Sequence, residues 1–175
     1  MAMIKNARLS FPNLFQPSSF SPDAPKKFSA TFIIEKGSEA EKVVQAEIKK
    51  VIAEKWPKGK PGSLKVCVRD GSEKDMDGFG DGVLFFNASN DKRVPIFDRD
   101  RTPLTEEDGK PYAGCYVNVM VQFWCQDNQY GKRVNASLLG VQFAGDGDAF
   151  GGGARAAAAE DFPVLEATGT DSWLG

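Results

Sequence analysis

The segment 116–126 alternates strictly between two kinds of side chain, and this pattern limits the fold more than any other feature of the chain. Its odd positions, from Val117 to Cys125, are all apolar, whereas its even positions carry rings, amides and a methionine. A period of two predicts a β-strand with one face in a hydrophobic core. Segments of similar character at 4–11, 28–35, 64–69, 83–88, 92–97 and 133–144 bring the prediction to about seven strands.

Residues 37–56 predict the one clear helix. Ser38 is a good N-cap, and Glu41 follows three positions later, as in a capping box. The apolar stripe of this helix should pack on the core; it consists of Ala40, Val44, Ile48, Val51 and Ile52. Seven strands and one amphipathic helix favour a mostly β fold, a small closed or nearly closed barrel.

We expect Pro12 to end the first strand and Phe11 to share a face with Ala7 and Leu9. Residues 16–27 should form a loop.

Composition excludes several classes of function. The 175 residues include no histidine, which removes the commonest general base, Ser-His and Cys-His nucleophile pairs and most zinc sites. The three cysteines form no CxxC motif, so a disulfide framework is not expected. Neither a membrane span nor a signal peptide is evident, and a cytoplasmic protein is the default. These features favour binding over hydrolysis; we expect no catalytic residues, no cofactor and no resident metal.

Charge divides the chain into two parts. Residues 1–145 contain 21 of the 22 Lys/Arg and 18 of the 24 Asp/Glu, a net charge of +3. Residues 146–175 contain one arginine and six acidic residues, a net charge of −5. The predicted organisation is therefore a barrel domain at 1–145 and a flexible Gly/Ala-rich linker with a disordered acidic tail at 146–175. The composition of the tail is typical of a partner-binding peptide, for which the candidate residues are Glu160, Asp161, Phe162, Asp171 and Trp173.

Two aspartate clusters offer an alternative chemistry. Asp75, Asp77 and Asp81 share one Gly-rich loop, and Asp98 and Asp100 flank an arginine. Either cluster could hold a divalent cation in a nuclease or resolvase. Aspartates beside glycine and arginine are more typical of solvated turns, which is the interpretation that we favour.

Basic residues interleaved with rings and amides point instead to nucleic acid, because cations bind phosphates while flat rings stack on bases. The candidate binding residues are Lys65, Arg69, Lys74, Phe85, Asn87, Lys92, Arg93, Arg99, Arg101, Tyr116, Trp124, Tyr130, Lys132 and Arg133. The even face of 116–126 has two open interpretations: a base-stacking surface, or a face covered by the helix or by a second subunit. Phe85 is likewise a candidate for either stacking or the core.

Three stretches together resemble a family of phage single-stranded DNA-binding proteins. They are NARLSFPNLFQP at 6–17, KKFSATFIIEKG at 26–37 and YAGCYVNVMVQFWCQDNQYGKRVNASLLGVQFAGDG at 112–147, and FFNASNDKRVPIFDRD at 85–100 fits the same pattern. The resemblance implies an OB-fold that binds single-stranded DNA without strong sequence preference. It also implies a role in phage replication, recombination or repair. The predicted helix follows the second strand, whereas a simple OB-fold places it between the third and fourth.

The resulting hypothesis is a non-catalytic single-stranded DNA-binding protein acting in the cytoplasm of an infected or lysogenic bacterial host. Its acidic tail would recruit replication or recombination proteins, or would occupy the basic groove when DNA is absent. A homodimer is left open, and no membrane partner is expected. A structural virion protein or adaptor, whose exposed rings form subunit contacts, is the other alternative beside the nuclease.

Overall fold

The computed structural model describes residues 1–19, 21–150 and 162–165. These residues form eight strands and one α-helix: β1 Ala2–Ser18, β2 Lys27–Glu35, α1 Glu39–Lys55, β3 Lys65–Val66, β4 Arg69–Asp70, β5 Val83–Asn90, β6 Ile96–Phe97, β7 Tyr116–Asn128 and β8 Gly131–Gly145. Two short 3-10 turns, Gly71–Glu73 and Glu106–Asp108, lie in the connections.

Five long strands close a barrel in the order β1-β2-β5-β8-β7, with β7 returning to β1. The pairings are antiparallel except between β5 and β8, which run parallel and meet at Ser89 and Ser137. This arrangement is that of a five-stranded OB-like barrel, and the mostly β prediction is confirmed. The helix follows β2, as the sequence predicted.

Alternation places the core inside the barrel. The odd side chains of β7 are buried from Val117 to Phe123, as predicted, whereas Cys125 is only partly buried. The rings of Phe32, Phe86 and Phe123 pack at centroid distances of 5.6 and 5.8 Å. Helix α1 begins after Ser38, whose hydroxyl accepts a hydrogen bond from the Glu41 amide. Its predicted apolar stripe packs on this core.

The first strand differs from the prediction, because Pro12 does not end it. The register passes from the Ser10–Thr31 pair to the Asn13–Ser29 pair, so two residues of β1 oppose one of β2 in a bulge. Proline has no amide hydrogen to donate, and the bulge is a position where the ladder does not require one. The bulge also turns Phe11 away from the face of Leu9, and Phe11 is 47% exposed.

Other predicted elements are shorter or divided. The single strand predicted at 64–69 is replaced by two short strands with different partners: β3 pairs with β8, and β4 pairs with β5. Within the strand predicted at 92–97, only the two residues of β6, which follow Pro95 directly, pair with another strand. The predicted loop at 16–27 begins later, because β1 continues to Ser18.

The first residues after β8 contact the barrel. The Tyr112 hydroxyl donates to Asp146 Oδ1 at 2.6 Å, and Arg8 Nη2 donates to the Asp148 carbonyl at 2.9 Å. The Arg8 guanidinium carbon lies 4.3 Å from the centroid of the Phe150 ring. Gly78 gives this ring its space, since a Cβ there would lie 2.2 Å from Phe150 Cζ. Residues 146–150 are thus held against the body of the protein, and we call them the strap.

Candidate nucleic-acid interface

A groove of about 1040 Å³ lies on the outside of the barrel where β5 and β8 meet. Its walls come from β3, β4, β5, β7 and β8 and from the start of β2, and we call it the β5–β8 groove. It brings together four cations, four amides, two hydroxyls and one large ring: Lys27, Lys65, Arg69, Arg133, Asn87, Asn90, Gln126, Asn135, Ser89, Ser137 and Trp124. Five of the predicted binding residues are among them: Lys65, Arg69, Asn87, Trp124 and Arg133.

Two of the cations face each other across a strand pair. Lys65 on β3 and Arg133 on β8 are register partners, and both side chains are exposed. Neither forms an ion pair within the part of the chain that the structure describes. Like charges at paired positions destabilise a sheet. An anion bound between them would relieve that repulsion.

The other two cations have acidic neighbours. Arg69 Nε lies 2.6 Å from Glu73 Oε2, and Lys27 Nζ lies 3.7 Å from the Oδ1 atom of Asp91, which is the one acidic residue in the described lining of the groove. Both pairs are solvent-exposed, so each contributes little and can exchange its carboxylate for a phosphate. All four cations are therefore available to a polyanion in the groove.

Trp124 supplies the ring of the groove. It projects from the outer face of β7 and is 43% exposed, so the helix does not cover it. Its register partner on β8 is Asn135, whose Nδ2 donates to Gln126 Oε1 at 2.9 Å. A flat ring beside fixed amides offers a base both a stacking surface and hydrogen-bonding partners.

Cys67 lines the same groove, and burial raises the pKa of its thiol to about 11. The thiol is therefore protonated at neutral pH. It adds no negative charge to a surface that would otherwise attract phosphate.

Phe85 does not present its ring to this groove. It is 1% exposed, packs edge-on against Phe79 at a centroid distance of 5.1 Å, and lies beneath Arg69 and Lys74, each 5.6 Å from its centroid. A base has no access to its face. We therefore assign Phe85 to packing, where it supports the two cations, and omit it from the stacking residues.

The remaining predicted residues lie elsewhere on the surface. Arg93 donates to the Phe15 carbonyl at 3.0 Å, and Tyr116 is 38% exposed beside Arg8, on a different part of β7 from the groove. Tyr130 is 74% exposed in the β7–β8 turn. Besides Phe85, eight of the predicted residues do not line the β5–β8 groove: Lys74, Lys92, Arg93, Arg99, Arg101, Tyr116, Tyr130 and Lys132.

Lys27 and Asn135 were not among the predicted binding residues, although both line the groove. The signal for Asn135 was present in the sequence. A tight turn after Asn128 sets the hairpin register, and that register places Asn135 opposite Trp124. Lys27 had no such signal, because its position depends on how β2 pairs with β5.

Both aspartate clusters lie in turns and irregular connections. Asp98 pairs with Lys110 at 3.2 Å, and Asp100 accepts a hydrogen bond from the Thr102 amide at 3.0 Å. Hydrogen bonds from the side chain and the backbone amide of Thr102 lower the pKa of Asp100. The described residues hold no group of three or more acidic or cysteine side chains that could bind a metal ion.

Four of the five predicted tail residues, Glu160, Asp161, Asp171 and Trp173, lie outside the described residues. The fifth, Phe162, is 64% exposed, and Val164 and Leu165 beside it are also exposed. Among the described residues, none of the helices has the length and apolar character needed to cross a bilayer.

An OB-like barrel whose outer groove combines cations with an exposed ring is typical of proteins that bind single-stranded nucleic acid. Comparison with known proteins agrees. The sequence model of the family described as Enterobacter phage Enc34, ssDNA-binding protein, matches residues 1–172, and the chain belongs to that family.

The chain is 44% identical over 174 residues to a putative protein p50 of Acyrthosiphon pisum secondary endosymbiont phage 1, covering 93% of this chain and 92% of that protein. Among solved structures, it is similar to the single-stranded DNA-binding protein of bacteriophage Enc34 in complex with ssDNA, with a TM-score of 0.71 and 27% identity. That match covers 85% of this chain and 88% of the other. The bacteriophage T7 protein gp2.5, a single-stranded DNA-binding protein, has a TM-score of 0.56 at 16% identity over 82% of this chain and 89% of its own, a likeness of fold alone.

Proposed function

We propose that this chain binds single-stranded DNA in the β5–β8 groove, without strong sequence preference and without catalysing a reaction on it. The observation that carries the proposal is the like-charged register pair of Lys65 and Arg133, which has no ion-pair partner among the described residues, beside the exposed ring of Trp124. A nucleotide strand has the matching chemistry, because its phosphates neutralise the cations and its bases stack on the ring.

Each group of side chains has a distinct role in this proposal. Lys27, Lys65, Arg69 and Arg133 contact phosphates, and Trp124 stacks on a base. Asn87, Gln126 and Asn135 hydrogen-bond to base edges, which requires no particular base because amides both donate and accept. A duplex buries its bases in its own stack, so it can use only the phosphate contacts. Single strands should therefore bind more tightly.

The biological setting is phage DNA replication, recombination or repair inside the bacterial host. In this proposal the segment after the strap recruits other proteins of the same process. The exposed apolar side chains at Phe162, Val164 and Leu165, within an acidic part of the chain, have the character of a short docking peptide.

The test is a titration of labelled oligo-dT and of a matched duplex, each at several salt concentrations. We expect tighter binding of oligo-dT. If all four groove cations contact phosphates, the slope of log K against log salt should be about −3, from ~0.7 per phosphate. Equal or tighter binding of the duplex would overturn the proposal, and magnesium-dependent cleavage of either substrate would overturn its non-catalytic part.

A charge-matched pair of variants locates the site. Lys65→Gln should weaken oligo-dT binding and reduce the salt slope by about 0.7. Lys50→Gln removes the same charge from the exposed surface of α1, outside the groove, and should leave the slope unchanged. If both variants behave alike, DNA binds through overall charge and the groove is not the site.

A further inference from the structure

Phe11 is an aromatic side chain that the backbone turns out of the core. Strict alternation after Leu9 and Ser10 would direct it inward, but the bulge opposite Ala30 reverses its side. Its φ is 46°, in the left-handed region that aromatic residues rarely adopt. The result is a ring that is 47% exposed, held by an unfavourable backbone conformation. Such conformations cluster at functional sites.

The ring lies in a second groove that continues the first. This β1–β2 groove has a volume of about 530 Å³ and is lined by Phe11, Asn13, Ser29 and Thr31, among others. It shares Lys27, Asn87 and Ser89 with the β5–β8 groove. No lining residue of the β1–β2 groove is acidic within the described chain, so nothing in it repels a phosphate.

A low polar floor joins the two grooves. Four side chains lie in register across four strands: Ser137 on β8, Ser89 on β5, Ser29 on β2 and Asn13 on β1. All four are small and carry hydrogen-bonding groups. A polymer can therefore pass close to the sheet without a large side chain in its path, and it meets a donor or acceptor at each strand.

We propose that a single DNA strand continues from the β5–β8 groove across this floor and stacks a second base on Phe11. The inference rests on the proposed function and extends it, since it gives the strand a path and a second aromatic contact. The occupant is the same DNA molecule because the grooves share their lining and because the floor is polar and free of carboxylates. Besides Phe11, the apolar residues of this groove are Pro25 and Ala30, and the rest of its lining in the described chain is polar or basic.

Geometry sets the length of DNA that the two rings require. From Trp124 on β7 to Phe11 on β1 the path crosses β8, β5 and β2, four steps of ~4.8 Å, or about 19 Å around the barrel. At the ~3.4 Å per nucleotide of a stacked strand this distance corresponds to about 6 nucleotides. A shorter oligonucleotide should occupy the β5–β8 groove, where most of the cations lie, and should not reach Phe11.

The experiment combines two variants of Phe11 with two lengths of oligo-dT, about 4 and about 12 nucleotides, within the range of OB-fold site sizes. Phe11→Leu keeps a large apolar side chain but removes the ring, whereas Phe11→Tyr keeps the ring. Phe11→Leu should weaken binding of the longer oligonucleotide about 5- to 100-fold and change that of the shorter one less than about 2-fold. Phe11→Tyr should retain affinity for both. Trp124→Leu should weaken both, because its groove is used at either length.

The outcomes separate this inference from the proposed function. If Phe11→Leu leaves both affinities unchanged, or weakens both equally with a lower melting temperature, the ring does not stack on DNA. If Phe11→Leu instead changes the mass measured by sedimentation, a second copy of the chain covers the ring, and the inference is again overturned. Failure of the unaltered protein to bind either oligonucleotide overturns the proposed function and this inference with it.

Discussion

The strap makes a sharp prediction about where the folded body ends. We expect a chain truncated after Gly145 to be less stable than one truncated after Phe150. The shorter chain loses the Tyr112–Asp146 hydrogen bond, the Arg8 hydrogen bond to the Asp148 carbonyl and the contact of Arg8 with the Phe150 ring. It also loses the hydrogen bond from the Phe150 amide to the Ala113 carbonyl, at 3.1 Å.

The magnitude follows from these four contacts. Each hydrogen bond contributes about 0.5–1.5 kcal/mol net, and an exposed cation–π contact about 0.5–1 kcal/mol. Ordering the backbone of the strap offsets part of this gain. The difference in unfolding free energy should be about 1–3 kcal/mol, which in a domain of this size lowers the melting temperature by roughly 3–10 °C.

Thermal unfolding followed by circular dichroism measures the difference directly. Full-length protein and the chain ending at Phe150 should melt together. Phe150→Leu in the full chain removes the ring over Arg8 and keeps the backbone contacts, so its melting temperature should fall between those of the two truncations. Equal melting temperatures for the chains ending at 145 and 150 would show that the strap contributes nothing to stability.

Three further predictions concern single side chains. Trp124→Leu should weaken oligo-dT binding by ~1–3 kcal/mol with an unchanged salt slope; a large fall in melting temperature without loss of binding would instead place the ring in the core. The hydrogen bond from Lys36 lowers the pKa of Asp70 to about 2. The ionised Asp70 side chain therefore stabilises the folded state at pH values above the usual carboxyl pKa, and this stabilisation is lost as the pH falls from about 4 to about 2. The stability difference between the unaltered protein and Asp70→Asn should shrink over that range, and a constant difference would contradict the assignment. Burial raises the pKa of the Cys67 thiol to about 11 and that of the Cys115 thiol to about 12, so both should react slowly with iodoacetamide at neutral pH. Mass spectrometry measures the rate of labelling, and fast labelling of either thiol in the folded protein would contradict this prediction.

Periodicity was sufficient to predict the strands whose two faces differ. In β7 every second side chain is apolar, and the burial of Val117, Val119, Val121 and Phe123 follows that pattern. The helix was predicted for the same reason, together with its Ser38 cap. Local patterns of this kind report which face is buried because burial acts on each side chain separately.

Features that depend on distant pairing could not be predicted in this way. The bulge at Phe11 is visible only once Ser10 and Asn13 are aligned with β2, and alternation alone gave its side chain the wrong face. The strap has the composition of a linker, and its contacts arise from Arg8 and Tyr112, which are far away in the sequence. In the candidate site, the meeting of Lys65 with Arg133 depends on a short parallel pairing that neither segment signals by itself.

The parallel junction of β5 and β8 has a mechanical consequence. In the described chain these strands share one register pair, Ser89 with Ser137, reinforced by a hydrogen bond from Asn90 Nδ2 to the Leu138 carbonyl at 2.9 Å. Every other junction of the barrel is a longer antiparallel ladder, so this seam should open at the lowest free energy. The β5–β8 groove lies across this junction, so a strand of DNA bound in it would contact both strands and oppose their separation. Amide hydrogens along β5 and β8 should then exchange more slowly when DNA is bound, while those of the β1–β2 ladder change less.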